Sequence, residues 1–234
     1  MKNTILFLSI LILGFLGFGC QEGSTDISTN PTSLEKNASY YAEYSITLEN
    51  LSPEGSQPFS PPILAVHSPN FRIFHIGDYA SDEHAQVAQD AFNDPLINLL
   101  NNDAEVSDVV IGQEGPIFPG SAQSFTVMAH SNYSKLSLVT MLVNTNDGFT
   151  GVDKIQLPQT GSMTYYLRSY DAGSEENTEM TEHIPGPCCG SHFMGVATHQ
   201  KITFHPGISG IGDLDPSVYG WKDPIAKLTV SKLN

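Results

Sequence analysis

The segment SLVTMLVNTNDGFTG, residues 137–151, decides how this chain folds. Leu138, Val139, Met141, Leu142 and Val143 are interrupted only by Thr140, so an extended chain here suits water on neither face. Such a run fits a central strand, covered from both sides. It ends abruptly in Asn144, Asn146, Asp147 and Gly148. These are turn formers. Three of them also carry side-chain oxygens, so a plain turn and a cation site are both open readings.

Elsewhere the pattern is alternation with period two. In AEYSITLEN (42–50) Tyr44, Ile46 and Leu48 alternate with polar residues. QSFTVMA (123–129) places Phe125, Val127 and Ala129 on one face, and MTYYLRS (163–169) does so with Met163, Tyr165 and Leu167. KITFH (201–205) and IAKLTVS (225–231) behave likewise. Strands with one buried face read this way. Turn residues separate them, as at Pro116–Gly120, and the whole predicts an all-β antiparallel β-sandwich. One or two short covering helices interrupt it. Ser81 is an N-cap with Asp82 and Glu83 in the first turn, and Ala85, Ala88 and Phe92 supply an apolar face. Asp94-Pro95 opens a second helix that buries Leu96, Leu99 and Leu100.

At the N terminus, Lys2 precedes an apolar run from Ile5 to Phe18. A bilayer span takes about 20 apolar residues, and this shorter run has the form of a secretory signal. Gly17 and Gly19 come just before Cys20, which resembles a bacterial lipoprotein signal with Cys20 as the lipidated first residue. The expected organisation is a signal peptide over 1–19, a flexible tether over 20–38 and one domain over 39–232. The expected location is the bacterial cell envelope, with membrane attachment through the lipid at Cys20. The chain has 10 Lys and Arg against 25 Asp and Glu; without Lys2 the balance is 9 − 25 = −16. That charge excludes nucleic acid and electrostatic adhesion to anionic lipid.

Four segments carry a resemblance to a known family: QPFSPPILAVHSPNFRIFHIGDYAS (57–81), TMLVNTNDGF (140–149), YDAGSEENTE (170–179) and IPGP (184–187). Together they resemble the spondin domain family over about residues 39–232. The resemblance implies a β-sandwich similar to C2 domains, exported, with a calcium site in loops at one end. It assigns as metal ligands Asp147, Asp171 of the DAG motif, and Glu175, where the family tends to carry Asp. Glu176 competes for that third role, and Asn146 is a further candidate. Independently of the family, calcium takes six to eight oxygens from carboxylates, carbonyls and water. Converging carboxylates repel one another unless a cation joins them. The loop is not an EF-hand, because the twelfth position from Asn144 is Ile155 rather than Glu. The expected function is a calcium-binding module for adhesion to, or binding of, an extracellular protein or glycan. The alternative is a structural envelope lipoprotein whose calcium only stiffens loops.

Other clusters carry less. His183, Cys188, Cys189 and His192 suggest zinc, but adjacent cysteines lack the usual ligand spacing and suit a vicinal disulfide or inert thiols better. His199 and His205 would share a solvated strand face. Asp213, Asp215 and Trp221 read as a rigid surface turn. A metal-dependent hydrolase is the least favoured reading, since neither a nucleophile elbow nor a His-Glu-x-x-His motif occurs.

Overall fold

The computed structural model describes residues 41–112, 115–130, 132–186 and 188–234. The readings placed on residues 1–40, among them the signal peptide, Cys20 and the tether, lie outside the described residues.

Two antiparallel sheets face each other. The smaller has the order β4-β1-β10-β7, from Ala122–His130, Tyr41–Asn50, Ala226–Lys232 and Ser162–Leu167. The larger has the order β3-β2-β5-β6-β8-β9, from Val106–Ile111, Ile63–His67, Lys135–Met141, Gly148–Gln156, Ser169–Asp171 and Thr203–Phe204. Ile46, Leu48, Leu228 and Val230 from the first sheet meet Leu64, Val66, Leu136 and Leu138 from the second. Each fully buried Leu, Ile or Val of this kind contributes about 1.5–3 kcal/mol.

The run in 137–143 is apolar on both faces because two cores need it. Leu138 points into the sandwich, while Val139 joins a second core beneath α1 (Asp82–Asp90) and α2 (Asp94–Asn102). Strand β2, beside β5, is buried at every position for the same reason. The helices therefore lie on the outer face of the larger sheet. Ser81 caps α1, its hydroxyl accepting the His84 N–H at 3.2 Å. The buried face of α1 is the expected one only at Ala88: His84 and Val87 turn inward with it, in place of Ala85 and Phe92. Ala91 takes a left-handed conformation that ends the helix and leaves Phe92 exposed. On α2, Leu96 and Leu100 are buried and Leu99 only partly so.

The segment MTYYLRS is not one strand. It breaks at Arg168, so that β7 lies in the smaller sheet and β8 in the larger. Asp223 holds the break, accepting from the Ser169 N–H (2.9 Å), the Ser169 hydroxyl (3.0 Å) and Arg168 Nε (3.2 Å). Segment KITFH contributes only a two-residue strand, Thr203 and Phe204, and an isolated bridge from Lys201 to Tyr79. His199 is exposed and stacked on Tyr79, whereas His205 is buried against Trp221. The two histidines therefore share no solvated face. Among the described residues no helix is long and apolar enough to cross a membrane.

His84 lies in the aromatic heart of the second core, packed against Phe74 and Phe149 with neither ring nitrogen partnered among the described residues. Burial pushes its pKa down to about 4. A histidine depressed in the folded state stabilises least at low pH. Above about pH 6.5 the ring is neutral in both states and stability does not change with its titration; stability is lost as pH falls from there towards 4. His84→Phe should therefore gain on the parent by about 3 kcal/mol between pH 7 and pH 4, read as the difference in urea unfolding free energies at the two pH values.

Candidate functional site

The turn joining β5 to β6, Asn144–Asp147, is buried throughout. Its shape follows from Thr145, whose hydroxyl donates to the Leu142 carbonyl at 2.6 Å and accepts the Gly148 N–H at 2.9 Å. Gly148 is required there: a Cβ would lie 2.5 Å from that hydroxyl and 3.0 Å from the His205 ring. Asn144 anchors the turn sideways, donating to the Ser56 carbonyl at 2.6 Å and accepting the Cys188 N–H at 3.2 Å.

Strand pairing then sets the carboxylates. Gly148 pairs with Asp171 across the β6–β8 ladder, and the Ala172 N–H donates to the Asp147 carbonyl at 3.2 Å. Strand β8 runs antiparallel to β6, so it finishes at the end of the sheet where β6 begins. The two acidic loops therefore lie at the same end of the larger sheet.

Asp147 is fully buried. Its Oδ2 accepts from the Ser174 N–H (2.7 Å), the Ser174 hydroxyl (3.0 Å) and the Glu175 N–H (2.9 Å). Its Oδ1 has no partner. Burial, then the nearby Asp171 charge, push the Asp147 pKa up to about 6 against the pull of those donors. Asp171 accepts from the Gly173 N–H at 2.7 Å and from the Asn177 amide. Glu175 is 8 % exposed, and its carboxylate lies against Gly195, where a Cβ would come within 2.1 Å of the carboxylate oxygens and carbon. Burial pushes Glu175 up to about 8, with Asp147 and Asp90 adding to the effect. Among the described residues no Lys, Arg or His forms an ion pair with Asp147, Asp171 or Glu175.

The other candidates separate. Glu176 is exposed, so of the two adjacent glutamates it is Glu175 that turns inward. Asn146 is buried, but its oxygen accepts the Glu179 N–H (3.2 Å) and its amide reaches the Thr178 hydroxyl (3.2 Å), tying two loops together. Glu179 itself is a structural lock. Burial alone would raise its pKa, but Ser209, Gly210 and Ile211 surround the carboxylate with N–H and O–H donors that hold it below the ordinary value. Cys188 and Cys189 form a vicinal disulfide and offer no thiolate to a metal. Asp213 accepts from Thr181, and Asp215 caps the short helix α3 (Pro216–Tyr219), as a rigid turn requires. His205 is held down to about 4 by burial, its Nδ1 accepting the Gly207 N–H.

Asp90 escaped sequence reasoning. It ends α1, and its side chain is 7 % exposed and close enough to raise Glu175. A signal was present: an acidic residue, with no basic one, sits in the last turn of a helix, where the dipole favours cations. Among the described residues, no three or more His, Cys, Asp or Glu side chains gather closely enough to share a metal ion.

The two-sheet sandwich with its acidic loops at one end defines the class, and the comparisons give the family. The chain matches the model of the Spondin_N family over residues 44–187 and belongs to that family. The match takes in Asp147, Asp171 and Glu175, and leaves out β9, α3 and β10. No curated protein sequence matches the chain. Membership marks an extracellular module of a generally non-catalytic kind.

A carboxylate raised in the folded state disfavours folding above its folded pKa and costs nothing below its unfolded one. Asp147→Asn should accordingly stabilise the metal-stripped protein at pH 8 by about 2–3 kcal/mol, the gain fading towards pH 4. Chemical denaturation in the presence of a chelator reads this directly.

Proposed function

We propose that the chain is an exported, non-enzymatic binding module, occupying residues 39–232, whose acidic loops take Ca2+. The observation that supports this most is Asp147 Oδ1, a buried carboxylate oxygen with no donor. Asp171 and Glu175 stand beside it with no cationic side chain paired to them. A hard dication fits an all-oxygen donor set, and calcium's flexible shell accepts backbone carbonyls and water where carboxylates are few. Asp147, Asp171 and Glu175 would hold the ion together with such oxygens once the loops draw the three carboxylates closer than they stand here. Bound there, calcium would neutralise the mutual repulsion and fix the 144–147 turn to the 171–175 loop. The lipid at Cys20 would keep the module at the bacterial cell envelope.

A binding role, rather than a purely structural one, is supported by the apolar surface next to these loops. Phe193 and Met194, directly before the glycine that packs on Glu175, are 68 % and 61 % exposed. Phe92 meets Phe193 edge-on, with ring centroids 6.1 Å apart. Monomeric proteins rarely leave such rings clustered in water without a partner. The partner expected on this reading is an extracellular protein or glycan.

Thermal unfolding of the exported chain carrying Cys20→Ser tests the metal. Calcium at 100 times its dissociation constant stabilises a native state by about 2.7 kcal/mol, roughly a 5–10 °C rise in Tm for a domain of this size. That rise should vanish in both Asp147→Asn and Asp171→Asn. A metal-stripped parent indifferent to calcium would reduce these loops to turns.

A further inference from the structure

Phe118, on the connection between β3 and β4, is 56 % exposed, and a cavity opens on either side of its ring. One, of about 400 Å³, is walled by Pro116, Val143 and Pro185, with Asp90 set into the wall. The other, of about 440 Å³, lies against Pro58, Pro119 and Cys188, with Glu54 at its edge. Both volumes fall within the range of ligand pockets. The loop carrying the vicinal disulfide borders both, and it is built firmly onto the end of β5. Gly186 packs so closely that a Cβ would lie 1.8 Å from the Val143 carbonyl oxygen, and the Cys188 N–H is held by Asn144.

We propose that the two cavities form one groove for an extended segment of a partner protein. Apolar side chains of that segment enter on either side of Phe118, with Lys or Arg beside them. An extended chain presents side chains at regular intervals, and aromatic, proline-walled grooves suit it. The charge argues for the basic neighbours. Among the described residues neither cavity is lined by Lys or Arg and each has one acidic residue, Asp90 having His192 at 3.8 Å as its neighbour. The Asp90 side chain is 7 % exposed, so a cation reaching it is largely out of water, where a charge pair is strongest. The acidic surface as a whole would also steer a basic partner towards the groove. A glycan fits less well, because the wall around Asp90 offers few amide or hydroxyl groups. This inference rests on the reading of the chain as a binding module, not on the metal.

The test pans a phage-displayed library of random linear peptides on the exported chain carrying Cys20→Ser. Enriched sequences should combine Leu or an aromatic residue with Lys or Arg. A synthetic peptide of that sequence should lose at least about tenfold in affinity with Phe118→Ser, the loss of an anchoring ring. It should also weaken with Asp90→Asn and with rising salt. Neither variant should lower the parent's unfolding midpoint, since Phe118 is exposed and Asn retains the acceptor for the Phe193 N–H. The proposal is overturned by any of three results: no enrichment, enrichment without basic residues, or binding indifferent to both variants. Repeating the measurement in chelator separates the two readings. Peptide binding that persists there, in a protein whose Tm ignores calcium, would sink the metal alone.

Discussion

Everything at the functional end depends on the β5–β6 hairpin being buried on both faces. A strand that feeds two cores cannot slide by one residue without exchanging them, because the side-chain period is two. Close backbone approach tightens the constraint further. A Cβ at Gly151 would lie 2.1 Å from the Leu138 carbonyl oxygen, so the two strands fit at this register only while that residue is glycine. With the register fixed, the turn must fall at Asn144–Asp147, and Asp147 must enter the interior opposite the end of β8. The carboxylate oxygen without a partner is a consequence of packing, not of local turn chemistry.

Two buried regions set opposing electrostatic demands. His84 and His205 are both pushed down to about 4 by burial and favour the folded state at higher pH. Asp147 and Glu175 are pushed up to about 6 and about 8, and favour it at lower pH. The histidine and aspartate effects oppose each other between about pH 4 and 6.5. Above that range the histidines are already neutral and the carboxylates alone act, so charge at the loops is least tolerable at neutral to mildly alkaline pH.

The same end of the molecule gathers the features that face outward. The disulfide loop, Phe118 and the Phe92–Phe193 pair all lie near the end of β5 or beside the loop that buries Glu175. Asp90 connects these surroundings, touching the Phe193 backbone on one side and raising Glu175 on the other. An acidic interior and an apolar exterior therefore share one set of loops. Ordering the first would order the second.

The sequence by itself determined the sandwich, because alternation with period two is imposed by the strand backbone and survives without knowledge of neighbours. It also marked β5 as central and placed the acidic motifs, through the resemblance carried by TMLVNTNDGF and YDAGSEENTE. The remaining features arise from contacts between distant parts of the chain. Arg168 breaks MTYYLRS between two sheets because Asp223, more than fifty residues away in the chain, grips both sides of the break. The inward face of α1 follows His84 rather than Phe92, since a left-handed Ala91 turns the chain before Phe92 can complete the helical stripe. His205 is buried rather than solvated because Trp221 packs over it from the last turn before β10. Glu175 and Glu176 are chemically alike in sequence, and only the approach of Gly195 and Ala197 turns the first inward and leaves the second in water. Local periodicity fixes elements; which side chain meets which is fixed by contacts between residues far apart in the chain.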